Sequence, residues 1–76
     1  MTNKKNNSNT LKEINFSSNL EKLLKERKVT QQMLADILGV SRITVTNYIN
    51  GSKMPRIEKV IEISLVFEVV VDSLFA

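Results

Sequence analysis

The side chains of Arg42-Ile43-Thr44-Val45-Thr46-Asn47 suit recognition rather than reaction. An Arg can grip guanine O6 and N7, an Asn can pair with adenine N6 and N7, and an Ile or a Thr methyl can pack on a thymine methyl. Each good bidentate contact of this kind discriminates between bases by about 1–3 kcal/mol. A reacting centre is not expected. The chain has no His and no Cys, which removes the usual general base, the commonest neutral metal ligand and the thiolate nucleophile. It also lacks a Gly-rich phosphate loop. No catalytic residue, cofactor or metal is therefore expected.

For those side chains to be usable they must stand on the outside of a rigid element. Thr30 predicts the N-cap of a helix over Gln31–Leu38, with apolar positions at Leu34, Ala35, Ile37 and Leu38. Gly39 follows at once, where a residue with positive φ ends a helix cheaply. Ser41 then predicts the N-cap of a helix over about Arg42–Ile49, closed by Asn50-Gly51. Two short helices joined by a tight Gly turn meet at about 90–120° and must approach closely. Ala35 is small enough for the crossing, while Leu34, Leu38, Val40, Val45 and Tyr48 fall on inner faces. With Val45 and Tyr48 buried, helical geometry turns Arg42, Ile43, Thr46 and Asn47 to the exposed side.

Around this pair the chain reads as helical throughout. Residues 1–15 are rich in Asn, Lys, Ser and Thr and are expected to form a flexible polar arm. The domain proper is expected over 16–76. Ser18-Asn19-Leu20-Glu21 fits a capping box, opening a helix to about Lys28 with Leu20, Leu23 and Leu24 on its inner face. Ser52–Pro55 is a loop, since Pro55 excludes helix at Met54. A fourth helix over about Arg56–Phe67 is expected to bury Ile57, Val60, Ile61 and Ser64. A last turn around Val71–Phe75 would add Val71 and Leu74 to the core.

The pattern Thr30-Gln31-x-x-Leu34-Ala35-x-x-Leu38-Gly39-Val40-Ser41-x-x-x-Val45-Thr46-x-Tyr48-x-Asn50-Gly51-x-x-x-Pro55 resembles the phage repressor and Cro family, also called the xenobiotic-response-element family. The resemblance runs from about Phe16 to Phe75. It implies an all-α fold of five short helices, the lambda-repressor-like DNA-binding domain with a helix-turn-helix, usually bound to operator DNA as a symmetric dimer. It also implies that Arg42, Ile43, Thr44, Thr46 and Asn47 touch bases or nearby phosphates. Gln31 is placed by it on a phosphate, which agrees with its position at the start of a helix. Ser41 is a further phosphate candidate, as are Asn50, Ser52, Lys53 and Arg56 around the loop after the third helix. Lys4 and Lys5 would either reach the duplex as an arm or serve as a solubilising tail.

The last third departs from the family pattern. Arg56 stands where a capping Ser or Thr is usual, Glu68 where Gly usually ends the helix, and Val70 where a Ser would cap the last turn. Leu65 occupies a position that is usually polar. Each lost cap typically costs about 1 kcal/mol, and Val69-Val70-Val71 favours strand, so residues 69–71 are either helical or extended. The same changes leave Leu65, Val70 and Phe75 as candidates for an exposed apolar patch, expected to be a dimer interface.

Size, charge and composition agree with a small DNA-binding domain. Seventy-six residues, 42% apolar and 25% charged, leave room for one domain. Residues 1–59 hold all eleven Lys and Arg against five acids, a net +6, whereas 60–76 hold three acids and no base. A basic body suits a polyanion, because neutralised phosphates release counterions. The polar N-terminus does not read as a secretory signal. Glu62, Glu68 and Asp72 interrupt the apolar C-terminus, which argues against a membrane span. A cytoplasmic, nucleoid-associated regulator of transcription is expected, most simply a repressor on a pseudo-palindromic operator. Two other readings stay open: an antitoxin whose C-terminal patch holds a toxin, and a helix-turn-helix used only for protein interaction.

Overall fold

In the computed structural model the backbone is described from Asn3 to Ala76 and the side chains from Asn15 onward. Five helices follow in order: α1 Asn3–Arg27, α2 Gln31–Leu38, α3 Arg42–Asn50, α4 Ile57–Phe67 and α5 Val71–Leu74. The architecture is all-α, as the residue pattern predicts. One core joins them, built from Phe16, Leu20 and Leu24 of α1, Leu34, Ala35 and Leu38 of α2, and Val45 and Tyr48 of α3. Val60, Ile63 and Phe67 of α4 and Leu74 of α5 complete it.

The first helix differs from expectation at its start. The backbone is helical from Asn3, inside the stretch read as a flexible arm. The side chains of Lys4 and Lys5 lie outside the described residues. Ser18 is exposed in the interior of α1 rather than at its N-cap, so the capping box does not open this helix. The buried face explains why. Phe16 is fully enclosed and Asn15 donates to the Phe75 carbonyl at 3.5 Å, so the helix is already engaged with its neighbours before it reaches Ser18.

The two central helices are capped as their sequences predict. Thr30 Oγ1 accepts from the Met33 amide at 3.0 Å, and Ser41 Oγ accepts from the Thr44 amide at 3.1 Å. Gly39 sits at φ 72°, with Val40 N donating to the Ala35 carbonyl at 3.0 Å. A Cβ at Gly39 would meet nothing within 4 Å, so the requirement there is backbone conformation and not space.

Three helix C-termini are closed by side chains from elsewhere in the chain. Lys59 Nζ donates to the Leu38 carbonyl at 2.7 Å, at the end of α2. Arg27 Nη1 donates to the Phe67 carbonyl at 2.9 Å, at the end of α4. Asn19 Nδ2 donates to the Leu74 carbonyl at 3.0 Å, at the end of α5. The last carbonyls of a helix have no partner within it, so these donors join packing to polar satisfaction.

The fourth helix is rotated relative to expectation. Val60 and Ser64 are buried as anticipated, but the face also takes Ile63 and Phe67, which follow Val60 at i+3 and i+7. Ile57 and Ile61 are 60% and 45% exposed, so their assignment to the core is corrected. They fall with Leu65 on an adjoining stripe at i, i+4 and i+8. Of the last element's two expected core residues, Leu74 is fully enclosed and Val71 half-buried.

The missing caps noted in the sequence are missing in the structure. Neither Arg56 nor Val70 makes a side-chain cap bond. Val69 and Val70 lie outside any helix, with Val70 in extended conformation, and Val71 is already helical. Glu68 adopts φ 56°, and Val69 N donates to the Ser64 carbonyl at 3.0 Å, a glycine-type helix end built on a residue with a Cβ. Left-handed backbone disfavours L side chains by about 1–2 kcal/mol, and Glu68 is exposed with no packing to lose. Glu68→Gly is therefore expected to raise the free energy of unfolding by about 1 kcal/mol. Urea denaturation checks this, and an unchanged or lowered midpoint would show that this helix end carries no strain.

Candidate nucleic-acid interface

The candidate interface is set by which side of α3 faces inward. Val45 is fully enclosed and Tyr48 nearly so, both against the core shared with Leu34, Ala35 and Leu38. Burial pushes the Tyr48 phenol above its ordinary range, with the nearby Lys59 ammonium opposing and Glu62 adding to that shift.

On the opposite side Arg42 is exposed and Ile43 is 69% exposed. An isoleucine so far out of the core buries little of its surface on folding, and its apolar tip is available to a partner. Asn47 is half-buried and, like Arg42, makes no side-chain hydrogen bond or ion pair among the described residues. Arg42, Ile43 and Asn47 thus offer a guanidinium, an amide and a methyl surface along one short helix.

The three hydroxyls of this region are less free than their residue types imply. Ser41 and Thr44 lie with their oxygens 2.9 Å apart, and Ser41 Oγ also accepts the Thr44 amide. Thr44 is half-buried. Thr46 is half-buried too, and its hydroxyl turns toward α2 to reach Gln31 Oε1. Geometry therefore brings Gln31, the first residue of α2, onto the flank of α3.

The loop after α3 adds positive charge. Lys53 and Arg56 are exposed and lie with Lys59 along an open cleft of about 290 Å³ that Tyr48, Met54, Pro55 and Glu58 also line. Lys59 is already engaged with the Leu38 carbonyl and, at 3.3 Å, with Glu62. Lys53 and Arg56 make no side-chain bond among the described residues. Asn50 Oδ1 accepts from the Ser52 amide at 2.9 Å and the Ser52 hydroxyl at 2.7 Å. That turn holds the start of the loop, and Lys53 N donates back to the Asn47 carbonyl at 3.2 Å.

The residues expected to form an apolar patch divide. Leu65 and Val70 are each 70% exposed. Phe75 is only half-buried, and its ring tilts against Phe16 with centroids 5.4 Å apart, so much of it serves the fold. Ile57 and Ile61 join the exposed set, a membership the sequence reading missed. Their i, i+4 spacing groups them with Leu65 on one face, without telling that this face is the exposed one.

Among the described residues no three acidic side chains gather as a metal site would require. No described helix is long and apolar enough to cross a membrane.

Comparison with known proteins agrees with this geometry. A helix-turn-helix family profile matches residues 20–72. Over 59 residues the chain is 44% identical to the uncharacterized HTH-type transcriptional regulator YqaE of Bacillus subtilis (strain 168), a match covering 78% of this chain and 51% of that protein. The chain spans about half the length of that relative. With Gly39 at the turn, Ala35 enclosed at the helix crossing and Val45 and Tyr48 turned inward, the chain belongs to the helix-turn-helix family, of the phage repressor and Cro type.

Proposed function

We propose that this chain is a sequence-specific double-stranded DNA-binding regulator of transcription that works in the cytoplasm on nucleoid DNA. It acts as a repressor, occupying operator DNA as a homodimer. The observation that carries the reading is the exposure of Arg42 and Ile43 on the side of α3 away from Val45 and Tyr48. A single helix of this width fits the major groove, where base edges carry a distinct pattern of donors and acceptors. Arg42 takes guanine, Asn47 takes adenine and Ile43 packs on a thymine methyl. Thr44, beside Ser41 at the start of α3, lies nearest the backbone.

Phosphate contacts fix the register. Gln31, Ser41, Asn50, Ser52, Lys53 and Arg56 are the proposed set: Lys53 and Arg56 supply charge, Gln31 and Asn50 supply side-chain NH2 groups, and Ser41 and Ser52 join by exchanging their bonds to Thr44 and Asn50 for a phosphate oxygen. Their salt dependence differs accordingly, since only cationic contacts release counterions. The printed name of the relative, a transcriptional regulator, supports the same reading.

The dimer surface is assigned to Leu65 and Val70, with Ile57 and Ile61 extending it along α4 and Phe75 at its edge. Acidic residues gather in this third of the chain, which suits a surface turned away from phosphates. Sedimentation of a Leu65→Glu, Val70→Glu double variant is expected to show a monomer. A dimer that survives both charges would rule out this surface.

Selection from a random duplex pool tests the function itself. The expected product is a pseudo-palindrome with half-sites about 10 bp apart, centre to centre. Arg42→Ala should relax base preference at one position of each half-site by about 1–3 kcal/mol, while Lys53→Ala should weaken all sequences alike. An unaltered selected motif with Arg42→Ala would show that this residue reads no base.

A further inference from the structure

Thr46 carries the third hydroxyl of the recognition region, and it turns toward α2. Its Oγ1 donates to Gln31 Oε1 at 2.5 Å and sits 3.1 Å from the Arg42 carbonyl one helical turn back. Both Thr46 and Gln31 are half-buried. A threonine hydroxyl has a single hydrogen to give. Committed to Gln31, that hydrogen is not available to a base without breaking a bond between the two helices.

The consequence falls on Gln31. A glutamine amide carries one carbonyl oxygen and one NH2 group on the same planar carbon, so fixing one restrains the other. With Oε1 held by Thr46 the swing of Nε2 is restricted as well, and Nε2 makes no hydrogen bond among the described residues. A free glutamine side chain would have to give up several rotamers to present that group, and ordering of this kind is a real cost of binding. Here the cost is met in the unbound protein.

We infer that Thr46 is a positioning residue, which locks the Gln31 amide so that Nε2 is presented to a phosphate oxygen, and that it reads no base itself. This rests on the DNA-binding reading given above for Gln31. It revises the role that residue type alone assigns to Thr46, because a threonine on this helix is otherwise a candidate for a thymine methyl.

Four proteins test it: Thr46→Val, Thr46→Ser, Gln31→Ala and the Gln31→Ala, Thr46→Val double variant, each as the full chain. Thr46→Val keeps the shape and a methyl but removes the hydroxyl. Its affinity for the selected duplex should fall roughly two- to tenfold, the span expected of one net hydrogen bond. The selected motif should be unchanged, and so should the slope of log affinity against log salt, since neither residue is charged. Thr46→Ser should restore binding. The double variant should bind no worse than Gln31→Ala alone, because the two act through one contact. In the free protein, nitrogen relaxation of the Gln31 side-chain amide should show order in the parent and Thr46→Ser chains and its loss in Thr46→Val.

A Thr46→Val motif altered at one base pair would overturn the inference in favour of base reading. Additive losses in the double variant would overturn it too, as would a Gln31 amide equally mobile in the parent and Thr46→Val. If the parent chain selects no duplex at all, the DNA-binding reading fails with the phosphate role. The relaxation measurement still decides separately whether Thr46 orders Gln31.

Discussion

The burial of Val45 and Tyr48 against α2 is the constraint from which the rest of the recognition surface follows. An isolated helix of nine residues is too short to persist in water, so α3 exists because those two side chains are enclosed. Fully burying a side chain of this size contributes about 1.5–3 kcal/mol, enough to fix the rotation of so short a helix. Once that rotation is fixed, Arg42 and Ile43 have nowhere to go but outward. Ala35, fully enclosed, permits the contact, since a larger residue there would force α3 away or strain the core. Gly39 contributes differently, through a φ of 72° that turns the chain in one residue.

A second layer of order comes from polar atoms at helix ends. Lys59, Arg27 and Asn19 each carry a donor to the last carbonyls of a helix distant in sequence. Cations at helix C-termini also oppose the helix dipole favourably. This changes the reading of net charge. Lys59 counts toward the basic body of the chain, yet its ammonium is held between the Leu38 carbonyl and Glu62. Among the described residues of α2, α3 and the loop after α3, the cations without a partner are Arg42, Lys53 and Arg56.

The helix-turn-helix was legible in the sequence because its constraints are local. Thr30, Gly39, Ser41 and Gly51 punctuate it within a few residues of the groups they satisfy, and each does in the structure what its type predicts. The weak ends of α4 and α5 were legible for the same reason, through Arg56, Glu68 and Val70. Rotation of α4 was not. It carries two apolar faces, one of Val60, Ile63 and Phe67 and one of Ile57, Ile61 and Leu65, and periodicity alone does not choose between them. The choice is made with α5 by α1 and α2, which are distant in sequence. The start of α1 was misread because Ser18 and Glu21 satisfy a local rule that burial of Phe16 overrides. The bond between Thr46 and Gln31 was not legible either, since its two partners lie fifteen residues apart.

The central claim is that the outward side of α3 is the surface that meets duplex DNA. Amide chemical shifts recorded while a selected duplex is added to the full chain test it most directly. The account predicts that the changes concentrate at Gln31, from Ser41 through Asn47, and at Lys53 and Arg56. Changes confined to α4 and α5, with Arg42 and Ile43 unmoved, would contradict it.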